Sequence, residues 1–154
     1  MKENDKTIKV SKLKNGTVID HLKPGTAIKA LHVLGIEGGN AISIGMYFES
    51  EKMGKKDILK IENKELKPHE VNKIALISPN ATLSIIENYE VKKKRRAYLP
   101  DVIEGIVKCG NPNCITNYEN IRTKFYVIKV SNGEIKLRCH YCERVFKKDE
   151  VELI

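Results

Sequence analysis

Apolar positions along the chain change their period several times, and each change predicts an element. After a polar start, Ile8, Val10, Val18 and Ile19 form a strand-like pattern, punctuated by Gly16 and ended by Asp20-His21. Pro24-Gly25-Thr26 opens a helix in which Ala27, Ile28, Leu31 and Leu34 recur at helical spacing, and Gly35 stops it. Gly38-Gly39-Asn40 is a turn, after which Ile42, Ile44, Met46 and Phe48 alternate onto one face. Glu51 to Lys56, with Gly54, reads as a hairpin connection into a strand bearing Ile58, Leu59 and Ile61. Pro68-His69-Glu70-Val71 begins a second helix that carries Ile74 and Ala75 and ends at Ser78-Pro79-Asn80. Ala81 to Val91 is a last strand or a pair of short ones. The order strand, helix, strand, strand, helix, strand is the ferredoxin-like split βαβ arrangement, an α+β sandwich with two helices on one face of an antiparallel sheet.

A second pattern follows the run Lys92-Lys93-Lys94-Arg95-Arg96 and Tyr98-Leu99-Pro100, which mark a boundary. The expected domains are residues 1–97 and 98–154. In the second, Val102, Ile103, Ile106 and Val107 are a short apolar segment, and Lys124 to Val130 alternates as a strand. Asn132-Gly133 signals a type I′ hairpin turn, from which Ile135 and Leu137 return. Phe146, Val151 and Leu153 are candidates to close a small core.

That core needs help, because about fifty residues bury little apolar surface and such domains usually need a staple. The candidate staple is the four cysteines, spaced Cys109-x4-Cys114, 24 residues, then Cys139-x2-Cys142. Two thiolate pairs on short knuckles suit one tetrahedral ion, with zinc first and iron its rival. Gly110 and Pro112 supply the turn chemistry of the wider knuckle. The competing readings are two disulfides, free core thiols, or His140 replacing one sulfur. A hairpin delivering one pair opposite the other makes a zinc-ribbon-like β domain. Four protein ligands leave no open position, so the site is structural rather than catalytic.

Charge narrows the function further. The net charge is +8 and 41% of residues are hydrophobic. Residues 1–91 carry 14 basic and 12 acidic side chains; residues 92–154 carry 14 and 8, and five of those basic groups are the one run. Positive charge is thus concentrated at the junction instead of spread over a nucleic-acid-binding surface. There is no apolar stretch of membrane-spanning length and no signal-peptide pattern, so a cytoplasmic location is expected, where thiols stay reduced. No P-loop, dinucleotide glycine fingerprint or zinc-protease signature is present, and His21, His32, His69 and His140 have no catalytic grouping, which favours a binding or regulatory chain over an enzyme. Asp20-His21 is either a solvated strand end or a pair that meets a ligand, the acid accepting from ribose hydroxyls and the imidazole meeting phosphate. The basic run is either a solvated linker or, beside Tyr89, a site for nucleotide phosphates or nucleic acid.

Five stretches decide between these. Gly16-Thr17-Val18-Ile19-Asp20-His21, Met53-Gly54-Lys55-Lys56-Asp57, Lys60-Ile61-Glu62-Asn63, Asn88-Tyr89-Glu90-Val91 and the cysteine pattern with Asn111 and Asn113 occur in this order over nearly the whole chain. Together they closely resemble the regulatory chains of aspartate carbamoyltransferase. The resemblance implies a noncatalytic subunit with an N-terminal allosteric domain that binds nucleoside triphosphates, CTP and ATP and in some members UTP. It implies a C-terminal zinc domain that docks on the catalytic chain, and an assembly of two catalytic trimers and three regulatory homodimers, with a ten-stranded sheet shared in each dimer, in pyrimidine biosynthesis. By position, Asp20 and Lys60 match residues that hold the ribose, and His21 and Lys94 match residues that meet the phosphates. Tyr89, Val10, Ser11, Lys12 and Leu13 match the base pocket. Cys109, Cys114, Cys139 and Cys142 match the zinc ligands, and Asn111 and Asn113 lie in the loop placed against the catalytic chain. Ser11 and Ser84 depart from the family's glutamate and asparagine near the base, and Pro24 to Asn40 is diverged. Lys93 and Arg95 add charge to the junction and are expected to strengthen phosphate binding. The alternative function is a zinc-ribbon nucleic-acid-binding protein; a metalloenzyme would need an open metal position.

Overall fold

In the computed structural model, which describes residues 12–36 and 38–154, the chain forms two compact units that divide between Ala97 and Tyr98. In the first unit, the described residues form five strands and two helices in order: β1 (Gly16–Leu22), α1 (Ala27–Val33), β2 (Ile42–Ser50), β3 (Gly54–Glu62), α2 (Pro68–Ile77), β4 (Thr82–Glu87) and β5 (Glu90–Arg96). They pair as β2-β3-β1-β4-β5, all antiparallel. The first four strands have the split βαβ order expected from the apolar pattern.

Thr17, Ile19, Leu59, Ile61 and Leu83 share one face of this sheet by register, and all are at least 96% buried. Against them pack Ala27 and Ala30 of α1 and Val71, Ile74 and Ala75 of α2. The opposite face, with Val18, Asp20, Lys60 and Ser84, is half-buried, and among the described residues no helix lies over it. Gly16 opens β1 because a side chain there has no room. A Cβ would stand 2.1 Å from the carbonyl oxygen of Ile61, and φ is 145°. α2 starts at Pro68, which needs no amide partner in the first turn, and the Glu70 carboxylate accepts from the Lys67 amide at 2.9 Å. Burial raises the Glu70 pKa, but that amide and the Lys64 ammonium 3.2 Å away outweigh it, and the carboxyl lies below its ordinary value.

Two expectations change in this unit. The basic run is an edge strand, β5, exposed throughout, and no linker. A strand solvated on both faces and along one edge has no apolar alternation by which to be recognised, and lysines are what exposed edges commonly carry. The β2 alternation is broken by a bulge between Gly45 and Phe48: Ile42 and Ile44 pair with Ile61 and Leu59 of the core face, whereas Phe48 pairs with Lys56 on the other face. The expected strand contribution of Ile8 and Val10 lies outside the described residues.

The second unit is a four-stranded antiparallel sheet, β10-β9-β8-β6, beside a two-stranded ladder, β11-β7. Its strands are β6 (Val102–Glu104), β7 (Val107–Lys108), β8 (Lys124–Lys129), β9 (Ile135–Cys139), β10 (Val145–Lys147) and β11 (Glu152–Leu153). Ile103, Val107, Phe125 and Leu137 make its core, with Phe146 at the margin. The β8–β9 connection is not the type I′ turn. Only Gly133 has positive φ, at 83°, and the Gly133 amide donates to the Val130 carbonyl at 2.9 Å. This is a three-residue loop with a bulged glycine, tied by the Asn132 side chain to the Glu134 amide at 2.9 Å.

Candidate functional site

The four cysteines converge as their spacing required. Cys109 and Cys114 bracket the loop after β7; Cys139 ends β9, and Cys142 lies in the turn into β10. The Sγ atoms of Cys109 and Cys142 are 3.7 Å apart, those of Cys114 and Cys139 3.8 Å, and all four lie within 4.8 Å of one another. A tetrahedron of metal–sulfur bonds about 2.3 Å long has edges of about 3.8 Å. A disulfide would need about 2.05 Å, so the disulfide reading fails. His140 is not in the cluster: its Nδ1 meets the Tyr126 hydroxyl at 2.6 Å.

Hydrogen-bond donors of the knuckles face three of the sulfurs, but burial outweighs them at Cys109 and Cys139. Burial pushes the Cys109 and Cys139 thiols up, as expected for a charge without a partner. Against it stand backbone amides: Asn111 toward Cys109, and Cys142 and Tyr141 toward Cys139. For Cys142 burial also acts upward, but the Arg144 amide and the Asn111 side chain overcome it and bring the thiol to about 7. The Thr116 hydroxyl donates to Cys114 Sγ at 3.2 Å. The Asn117 amide group closes the first knuckle onto the carbonyls of Cys109 and Asn111, at 3.2 and 2.7 Å. Asn111 is 93% buried and braces this loop from within, while Asn113 is exposed. Thr116 and Asn117 had no signal in the cysteine pattern.

The second cluster lies on the open face of the first unit. Register aligns Ser43, Lys60, Val18, Ser84 and Lys94 in one row across all five strands. In the next row toward the end of β1 are Asp20, Thr82 and Arg96. Asp20 pairs with Lys56 at 3.0 Å, and its Oδ1 accepts from the His21 amide at 2.6 Å. His21 does not alternate away from Asp20 because β1 bulges between Ile19 and Leu22, with His21 at φ 56°. That bulge lets its Nδ1 meet Thr82 Oγ1 at 2.9 Å. Burial lowers the His21 pKa; the Asp20 carboxylate opposes this, and the Lys56, Lys52 and Lys94 ammoniums add to it. Lys60 is also lowered, by burial, against Asp20. Asp20, His21, Lys60 and Lys94 are thus brought together, and Lys56, Thr82 and Lys52 join them. Lys56 was legible only as part of the Met53–Asp57 stretch.

Tyr89 stands at the far end of the same sheet. Asn88 and Tyr89 both have positive φ, 50° and 67°, the type I′ geometry of a two-residue hairpin. The Tyr89 amide donates to the Lys14 carbonyl at 2.9 Å, and the residue is 62% exposed. Leu13 is half-buried beside Gly16. Val10 and Ser11, expected here, lie outside the described residues. Lys93 and Arg95 do not join the phosphate end as expected. Strand alternation turns them to the helix-bearing face, beside Thr17, Glu65, Leu66, Leu83 and Ile85.

An α+β sandwich with a charged open sheet face, followed by a small β unit organised around four thiols, defines a two-part binding chain with a metal-stapled module. Its residues 8–98 match the family model for the aspartate carbamoyltransferase regulatory chain, allosteric domain, and residues 101–152 match the model for the same chain's metal binding domain. The chain belongs to the family of aspartate carbamoyltransferase regulatory chains. It is 52% identical to the regulatory chain of Pyrococcus horikoshii over 147 residues, which cover 94% of this chain and 95% of that one. It is 46% identical to that of Methanothermobacter thermautotrophicus, covering 94% and 93%, and 46% identical to that of Parabacteroides distasonis, covering 97% and 96%. As a regulatory chain it is noncatalytic, and its metal-binding domain has four cysteines positioned to hold an ion.

Proposed function

We propose that the open face of the N-terminal sheet binds nucleoside triphosphates, CTP and ATP, and that occupancy there modulates the aspartate carbamoyltransferase catalytic chain in cytoplasmic pyrimidine biosynthesis. The observation that carries this reading is the cluster of Asp20, His21, Lys56, Lys60 and Lys94 at one end of a sheet face whose other end has Leu13 and Tyr89. A carboxylate among ammoniums suits ribose hydroxyls beside phosphates, and an exposed tyrosine suits a base. His21 is held neutral by its surroundings and takes a proton when a polyanion arrives. The ion we infer is zinc, whose preferred donor set the four sulfurs at tetrahedral separations suit. When bound, it neutralises the buried thiolates and gives the small unit the stability its core lacks. Cys109, Cys114, Cys139 and Cys142 hold it, and Asn111, Thr116 and Asn117 keep those ligands oriented.

The assembly is a regulatory homodimer within a complex of two catalytic trimers and three such dimers, docked through the metal-binding unit. A nucleotide can shift the catalytic chains only by binding their two quaternary states with different affinity. The test is carbamoyltransferase activity of purified catalytic trimers, with and without the zinc-loaded chain, across a CTP titration. Sensitivity to CTP conferred by the chain is the expected result. Trimers that bind the chain yet ignore both CTP and ATP would overturn the nucleotide reading.

A further inference from the structure

Two bulges flank β3 at the same level. β1 jumps register between Ile19 and Leu22, and β2 jumps between Gly45 and Phe48. Each bulge has one side-chain-bearing residue in the left-handed region, His21 at φ 56° and Tyr47 at φ 59°. Such backbone persists only where neighbours hold it. Between the bulges lie Lys56 and Asp57, adjacent on β3 and therefore directed to opposite faces. Lys56 reaches Asp20, which also accepts from the His21 amide. Asp57 is fully buried, and its carboxylate accepts three backbone amides: Gly25 at 2.9 Å and Ala27 at 3.0 Å, at the entry of α1, and Tyr47 at 3.0 Å, in the β2 bulge. One carboxylate thus fixes both the start of the helix after β1 and the edge strand on the far side of β3.

We propose that Asp57 is a positioning residue that ties the nucleotide site to the β2 edge, so that occupancy at Asp20, His21 and Lys56 is felt at the Tyr47 bulge. The proposal rests on the nucleotide reading above. A polyanion bound there must change how Lys56 is shared with Asp20. Lys56 cannot move independently of the next residue on the strand, and Asp57 cannot shift without stretching hydrogen bonds to a buried charge. Packed elements answer such a demand by moving together. Since β2 is at the edge of the sheet and Tyr47 is 60% exposed, the change emerges where a neighbouring chain can read it.

The test is amide exchange at Tyr47 in the full regulatory chain, with and without saturating CTP, alongside direct measurement of CTP binding. In the wild type, CTP should change exchange at Tyr47 about fivefold or more, the lower end of ordinary coupling. Asp57→Asn replaces one acceptor with a donor facing an amide, and it should abolish that change while CTP still binds. Should that variant not fold, Lys56→Ala, which leaves all three Asp57 hydrogen bonds in place, should abolish it at saturating CTP. Binding without any change at Tyr47 in the wild type overturns the coupling, as does a full response in either variant. A wild-type chain that binds neither CTP nor ATP refutes the nucleotide reading, and the coupling with it.

Discussion

Chelating the ion held by Cys109, Cys114, Cys139 and Cys142 should unfold the C-terminal unit and leave the N-terminal one folded. The unit from Tyr98 to Ile154 has 57 residues. A domain of that size has a net stability of ~3–9 kcal/mol. Binding of a structural zinc contributes ~10–16 kcal/mol at neutral pH, more than that whole margin. What remains without the ion is a core of Ile103, Ile106, Val107, Phe125 and Leu137, each at most 2% exposed. Cys139, fully buried and paired in register with Phe125, would stand at its centre with no metal partner. The assay is hydrogen exchange at the Phe125 and Leu137 amides before and after a strong chelator, with Ile19 and Leu59 as the internal reference. The first pair should lose protection while the second keeps it. Cys139→Ser should behave as the chelated chain does, even in excess zinc. Continued protection of Phe125 and Leu137 after metal analysis shows the ion gone would refute the reasoning, because the core would then be sufficient alone.

Other expectations concern the first unit. Lys94→Ala should weaken CTP binding about tenfold or more, as loss of a charged contact to phosphate does, whereas Lys93→Ala, on the opposite face, should change it little; equal losses in equilibrium binding would contradict the strand register. His21 is lowered from its ordinary 6.5 by burial and three ammoniums, and a bound triphosphate reverses that, so CTP affinity should rise as pH falls from 8 to 6, by up to about tenfold per unit for one proton taken up. His21→Gln should flatten that profile. Glu70 is depressed in the folded chain, so its stabilisation is complete above 4.5 and is lost as pH falls through its folded value; Glu70→Gln should remove this acid-sensitive part from a denaturation series. Leu59→Ala, at the fully buried centre of the sheet, should cost ~2–5 kcal/mol in chemical denaturation.

What the sequence alone determined was whatever is local. Periods of two and of 3.6, interrupted by glycine and proline, report which side of a segment is buried, and they placed both helices and the apolar strands. The cysteines could be read as one site because a chelate ring closes over a few residues, so spacing constrains geometry. The tertiary structure alone decided what depends on register. β5 has no buried face, so nothing in its composition marks it as a strand. Only pairing with β4 separates Lys94 from Lys93. The bulges at His21 and Tyr47 exist only relative to β3, and no one-strand pattern contains them. Asp57 reads as one more charged residue among lysines. It is a buried acceptor of three amides because segments ten to thirty-two residues away fold onto it, a choice made by packing and by the cost of leaving a buried charge unpaired.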